Sequence, residues 1–133
     1  MRREVFFIFR DGKHFFQRFL KKGFGHVTIL QRDAYNWMQV DHYNDGCCIK
    51  IPGIASDNMQ LIESHIMQCN TVLKICYKIK HRNIFSLSII HPINCVSMAK
   101  YFLGVKNSCL TPYGLYIWLL SGGNKQIINV EKL

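Results

Sequence analysis

The chain predicts an α+β fold, an antiparallel sheet with a few helices packed on it, and three observations carry that prediction. Residues 71–79 alternate Val72, Lys74, Cys76 and Lys78 against Leu73, Ile75, Tyr77 and Ile79, the period of a half-buried strand. Short runs dense in Phe, Val and Ile are separated by turn signals such as Asp11-Gly12 and Tyr43-Asn44-Asp45-Gly46. Two later segments carry helix caps, Asn94 ahead of Cys95 and Thr111-Pro112 ahead of Tyr113. Runs of strands joined by tight turns, with helices apart from them, belong to an α+β architecture.

Each element follows from its own residues. Residues 4–9 are dense in Val, Phe and Ile and predict a buried strand. His14 to Leu20 predict a short helix with Phe15, Phe16, Phe19 and Leu20 on its apolar side, closed by Gly23. Residues 25–31 predict a strand, 31–35 the turn, Asn36 to Asp41 the antiparallel return, and 47–51 a third short strand stopped by Pro52-Gly53. Ser56 or Asp57 caps a helix over about 57–68, with Met59, Ile62, Ile66 and Met67 at helical spacing. Residues 71–79 and 85–90 predict two more strands. Pro92 breaks the chain before a helix over 95–104, whose buried stripe is Val96, Ala99, Phe102 and Leu103 and whose stop is Gly104. The helix from Thr111-Pro112 runs to about Leu120 and ends at Gly122-Gly123, and a last strand covers 126–130.

At 133 residues the chain is expected to form one domain, 1–133, large enough for a core of its own. A hydrophobic content of 49% excludes a disordered chain. The longest apolar run, Val5-Phe6-Phe7-Ile8-Phe9, is strand-sized and far short of the ~18–20 residues of a membrane-spanning helix. The basic N-terminus lacks the apolar stretch and cleavage site of a secretory leader, so a cytoplasmic protein is expected. The six cysteines, 47, 48, 69, 76, 95 and 109, form no CxxC pair and are read as thiols, with Cys69 and Cys76 in the core. Cys47, Cys48 and His42, with Asp41 and Asp45 nearby, match no standard zinc spacing; neither a metal nor a cofactor is expected. The net charge of +9 makes nucleic acid or another polyanion a candidate partner, although no recognised nucleic-acid module accompanies it.

One constellation carries chemistry. A thiol attacks only as thiolate. Cys95 stands in the first turn of a predicted helix, where the positive end of the helix dipole favours a negative charge. His26 opens a predicted strand, and Gly23 and Gly25 before it allow another backbone or a substrate to come close. A Cys–His pair of this kind needs a third group on the other ring nitrogen. The hairpin over 25–41 offers Gln39 and Asp41, which lie on one face of its second strand, and either fits. His42 faces the opposite way by alternation, and His91 lies four residues before Cys95. The backbone N–H of Cys95 is placed to stabilise an oxyanion. Phe24, Trp37 and Asn94 are expected at the substrate.

A His on a strand hairpin followed by a distant Cys on a helix resembles the circularly permuted papain-like group, which includes permuted NlpC-type proteins and the lecithin:retinol acyltransferase-like family. The stretches Phe15-Phe16-Gln17-Arg18-Phe19-Leu20-Lys21-Lys22-Gly23-Phe24-Gly25-His26-Val27, Asn94-Cys95-Val96 through Phe102-Leu103-Gly104-Val105, and Thr111-Pro112-Tyr113-Gly114-Leu115-Tyr116 also resemble small uncharacterised proteins of tailed bacteriophages. These stretches touch both ends of the chain and skip its middle third. The resemblance implies Cys95 as nucleophile, His26 as base and a polar residue on the next strand as orienter. In many NlpC-like members that residue is a His some twelve positions on. Met38 stands there, so the role falls to Gln39 by a one-residue shift or to Asp41 by a longer turn. The function expected is a cysteine hydrolase or acyltransferase that attacks a peptide, isopeptide, amide or acyl ester carbonyl, in the host cytoplasm if phage-encoded. The alternative is a non-catalytic basic phage protein that binds nucleic acid or a host protein.

Overall fold

The structure is a computed structural model, and it describes residues 2–12, 19–32, 37–43, 46–50, 71–78, 94–123 and 127–133. Six strands form one antiparallel sheet: β1 (Arg2–Arg10), β2 (His26–Arg32), β3 (Trp37–Tyr43), β4 (Gly46–Lys50), β5 (Thr71–Lys78) and β6 (Ile127–Lys132). Their order across the sheet is β4-β3-β2-β1-β5-β6. Two helices are described, α1 (Cys95–Leu103) and α2 (Pro112–Leu120). The α+β class and the antiparallel sheet therefore stand as expected. The predicted helices over 14–20 and 57–68 and the predicted strand over 85–90 lie largely or wholly outside the described residues.

Patterning explains the layers. β1 is central in the sheet, between β2 and β5, and its side chains are buried on both faces, which is where its near-continuous apolar run goes. Val5, Phe7 and Phe9 point to one face, where they meet Val27, Ile29, Leu73, Ile75 and the helix residues Val96, Ala99, Leu103, Leu115 and Leu119. Phe6 points to the other, with Leu30, Trp37 and Val72. Each fully buried Val or Phe contributes about 1.5–3 kcal/mol of transfer free energy, so the first face is the main source of stability. α2 adds an aromatic corner in which Phe24 contacts Phe9, Tyr113 and Tyr116 at ring-centroid distances of 5.5, 5.0 and 4.9 Å.

Two expectations change. Cys76 is half-buried rather than a core thiol, with its sulfur 3.8 Å from Glu4 Oε1, because it shares the register row of Glu4 on β1 and not the row of Leu73 and Ile75. Phe19 is exposed rather than on an apolar side. Among the described residues no helix is long and apolar enough to cross a membrane.

The junction before β2 sets the position of the site. Asp11 Oδ1 accepts the N–H of Gly23 at 2.5 Å, Gly23 has φ 81°, and the N–H of Gly25 donates to the carbonyl of Arg10 at 2.9 Å. The backbones at 10–12 and 23–25 therefore touch. A Cβ on Gly25 would stand 2.3 Å from the nitrogen and 2.9 Å from the Cα of Gly12, both backbone atoms. Gly25→Ala is accordingly expected to destabilise the protein by about 2 kcal/mol through overpacking. Urea unfolding measures this, and an unchanged midpoint would mean that the close approach is not needed.

Candidate active site

Four side chains meet at the end of the sheet where β1 leaves and β2 and β3 face each other. Arg10 on β1 is the register partner of His26 on β2. β2 and β3 pair with Ile29 opposite Val40, so one step further brings Thr28 to Asp41. In a strand every second residue shares a face, and Arg10, His26, Thr28 and Asp41 thus occupy neighbouring positions on one face of three strands.

The Asp41 carboxylate is the hub. Its Oδ1 lies 2.5 Å from Nε2 of His26. Its Oδ2 accepts from Nη2 of Arg10 at 2.9 Å and from the hydroxyl of Thr28 at 3.3 Å. Asp41 is only 2% exposed, whereas Arg10 is 42% exposed. A buried carboxylate is tolerable only when paired and hydrogen-bonded, and these three donors meet that demand.

Cys95 opens α1. Asn94 caps α1 with a reciprocal box: its side-chain oxygen accepts from the N–H of Ser97 at 2.8 Å, and the Ser97 hydroxyl accepts from the N–H of Asn94 at 2.8 Å. Val96, Ala99 and Leu103 are buried in the main core, which holds the helix on the sheet, while Cys95 at its N-terminal end stays half-buried. The Cys95 side chain acts on the His26 ring and favours its charged form.

The imidazole is tuned by both neighbours. Burial alone disfavours its charged form. The hydrogen bond to Asp41 and the influence of Cys95, with the negative charge that each carries when ionised, outweigh burial and push His26 up to about 9. The charged form of the ring is therefore favoured beside the Asp41 carboxylate.

The structure brings Cys95, His26 and Asp41 together and leaves Gln39 apart. Gln39 pairs with Leu30, four residues along β2 from His26, which at ~3.3 Å per residue is about 13 Å. The β2–β3 register brings Asp41, not Gln39, to the row beside His26. Trp37 is fully buried against Phe6, with ring centroids 5.6 Å apart, and is core rather than a substrate contact. Phe24 is buried in the aromatic corner, and the side chain of Asn94 is occupied by the cap. The side chains of His42, Cys47 and Cys48, and all of Asp45 and His91, lie outside the described residues. Arg10 and Thr28 are the additions that the sequence reading lacked. Thr28 was findable, since it stands two positions after His26 on the same face. Arg10 was not, because its place depends on the β1–β2 register. A scan against protein-family models, a search of curated proteins and a search of solved structures return no match to this chain.

Proposed function

We propose that the protein is a cysteine hydrolase or acyltransferase of permuted papain-like design. Cys95 is its nucleophile, His26 its acid–base group and Asp41 the residue that orients His26. The observation that carries this reading is the His26 ring bound to the buried Asp41 carboxylate at 2.5 Å, with the Cys95 side chain favouring its charged form. The chain order, His then Asp then Cys, supports the permuted arrangement.

In this reading the proton of the Cys95 thiol moves to Nδ1 of His26, which leaves a thiolate–imidazolium pair. The thiolate attacks a carbonyl carbon, a C–S bond forms, and the carbonyl oxygen takes the negative charge beside the N–H of Cys95 at the N-terminal end of α1. Collapse of the tetrahedral species breaks the bond to the leaving group, which departs with the proton from His26 and leaves a thioester on Cys95. Water, or an acyl acceptor, then gives its proton to His26 as it attacks the thioester, and the thiol is restored. Asp41 keeps Nε2 protonated and Nδ1 facing the sulfur throughout.

p-Nitrophenyl acetate tests the first half-reaction. A burst of nitrophenolate is expected, together with an acetyl group on Cys95 in the mass spectrum of the quenched protein. Cys95→Ser should show neither. Acetylation spread over Cys95, Cys109 and Cys76 alike would reject the assignment. In that event the charge of +9 favours the basic, non-catalytic reading, which salt-dependent retention on nucleic acid would reveal.

A further inference from the structure

The hub of the site is not fully accounted for by the nucleophile, the acid–base group and its orienter, because Oδ2 of Asp41 has partners of its own. We propose that Arg10 is a positioning residue of this site: with Thr28 it holds Oδ2 of Asp41, so that Oδ1 faces His26 Nε2, and its charge keeps the buried carboxylate ionised. The inference rests on the reading of Cys95, His26 and Asp41 as a reactive site, and goes beyond it by adding a cation on the far side of the orienter.

Three observations support it. The guanidinium approaches Asp41 at 2.9 Å on the oxygen that His26 does not use. Arg10 is the register partner of His26, so the same strand pairing that places the base also places the cation. The backbone of Arg10 is tied to β2 by its carbonyl, which accepts from Gly25 one residue before His26. A carboxylate at 2% exposure without a neighbouring cation would gain a proton at a higher pH than usual, and a neutral carboxyl no longer favours the imidazolium. Among the described residues, the charged and titratable groups shown on Asp41 include Arg10 from β1 and His26 from β2, with Cys95 of α1 acting through His26. Cys48 on β4 is its register partner.

The test is the rate of Cys95 alkylation by iodoacetamide between pH 4 and 8, read per cysteine by mass spectrometry in the wild type, Arg10→Gln, Arg10→Lys and Thr28→Val. Arg10→Gln is expected to move the acid limb of the profile up by about one pH unit, with the plateau at higher pH retained, since one nearby opposite charge is lost. Arg10→Lys keeps the charge and should stay within about twofold of wild type. Thr28→Val removes only a neutral hydrogen bond and should slow alkylation at pH 5.5 about threefold. A merely structural Arg10 would lower the rate at every pH without moving the limb. An unmoved limb in Arg10→Gln, or an equal shift in Arg10→Lys, overturns the proposal. If Arg10→Gln does not fold, Thr28→Val decides, and an unchanged rate there overturns it. A wild-type profile in which Cys95 behaves like Cys109 is a different failure: it removes the reactive site itself, and the role of Arg10 with it.

Discussion

Replacing His26 with alanine is expected to slow the alkylation of Cys95 by iodoacetamide at pH 6 by about 10–30-fold. The number follows from the thiolate population. An ordinary thiol ionising near 8.5 is about 0.3% thiolate at pH 6, whereas in the proposed thiolate–imidazolium pair the thiolate is the main form, a difference of about 300-fold. A thiolate stabilised in this way is a weaker nucleophile, and with a Brønsted slope near 0.5 about half of the gain is lost on a logarithmic scale. Cys109 is the internal control. It is half-buried, its sulfur lies 3.4 Å from the carbonyl of Gly114, and His26 is not among its partners. Its rate should be equal in the two proteins. The reading of a thiolate–imidazolium pair fails if the Cys95 rates agree within about threefold at pH 6 while the variant remains folded by circular dichroism.

Much of the architecture was legible because its signals are local. Asn94, Gly104, Thr111 and Pro112 predicted both described helices to within a residue, since caps act over a single turn. The alternation at 71–79 and the turn signals around residues 33 and 45 located four strand segments, since the strand period is set by the backbone alone. What was not legible depends on register. Whether Gln39 or Asp41 meets His26 is decided by the pairing of Ile29 with Val40, and a shift of one step would bring a different row of side chains to the ring. Arg10 joins the site for the same kind of reason, through a pairing between strands separated by a 15-residue connection. Trp37 was misread because an aromatic residue beside a candidate site looks the same in sequence whether it lines a cleft or fills a core.

The pH dependence of stability provides an equilibrium test of where the proton of the pair resides. His26 binds a proton more tightly in the folded protein, at about 9, than in the unfolded chain, at 6.5. Taken alone, such a group stabilises the fold fully below pH 6.5, and the contribution is lost as pH rises through 9. At about 1.4 kcal/mol for each pH unit, the loss over that window is about 3 kcal/mol. If the proton on His26 has come from Cys95, however, the two residues together hold one proton in the folded state. Unfolded, between pH 6.5 and about 8.5, they also hold one, on the thiol. The two states then bind equal numbers of protons, and the pair adds no slope to stability across that interval. Urea unfolding at intervals from pH 6 to 9.5 distinguishes the cases. A contribution from the pair that is flat within about 1 kcal/mol up to pH 8.5, obtained as the difference between wild type and the Cys95→Ala, His26→Ala double variant, is the result expected of a thiolate–imidazolium pair. A fall of about 3 kcal/mol over the same range would mean that Cys95 keeps its proton while His26 takes one from solvent. In that case Asp41 charges the ring without preparing the sulfur, and Cys95 loses its claim to be a nucleophile poised at neutral pH.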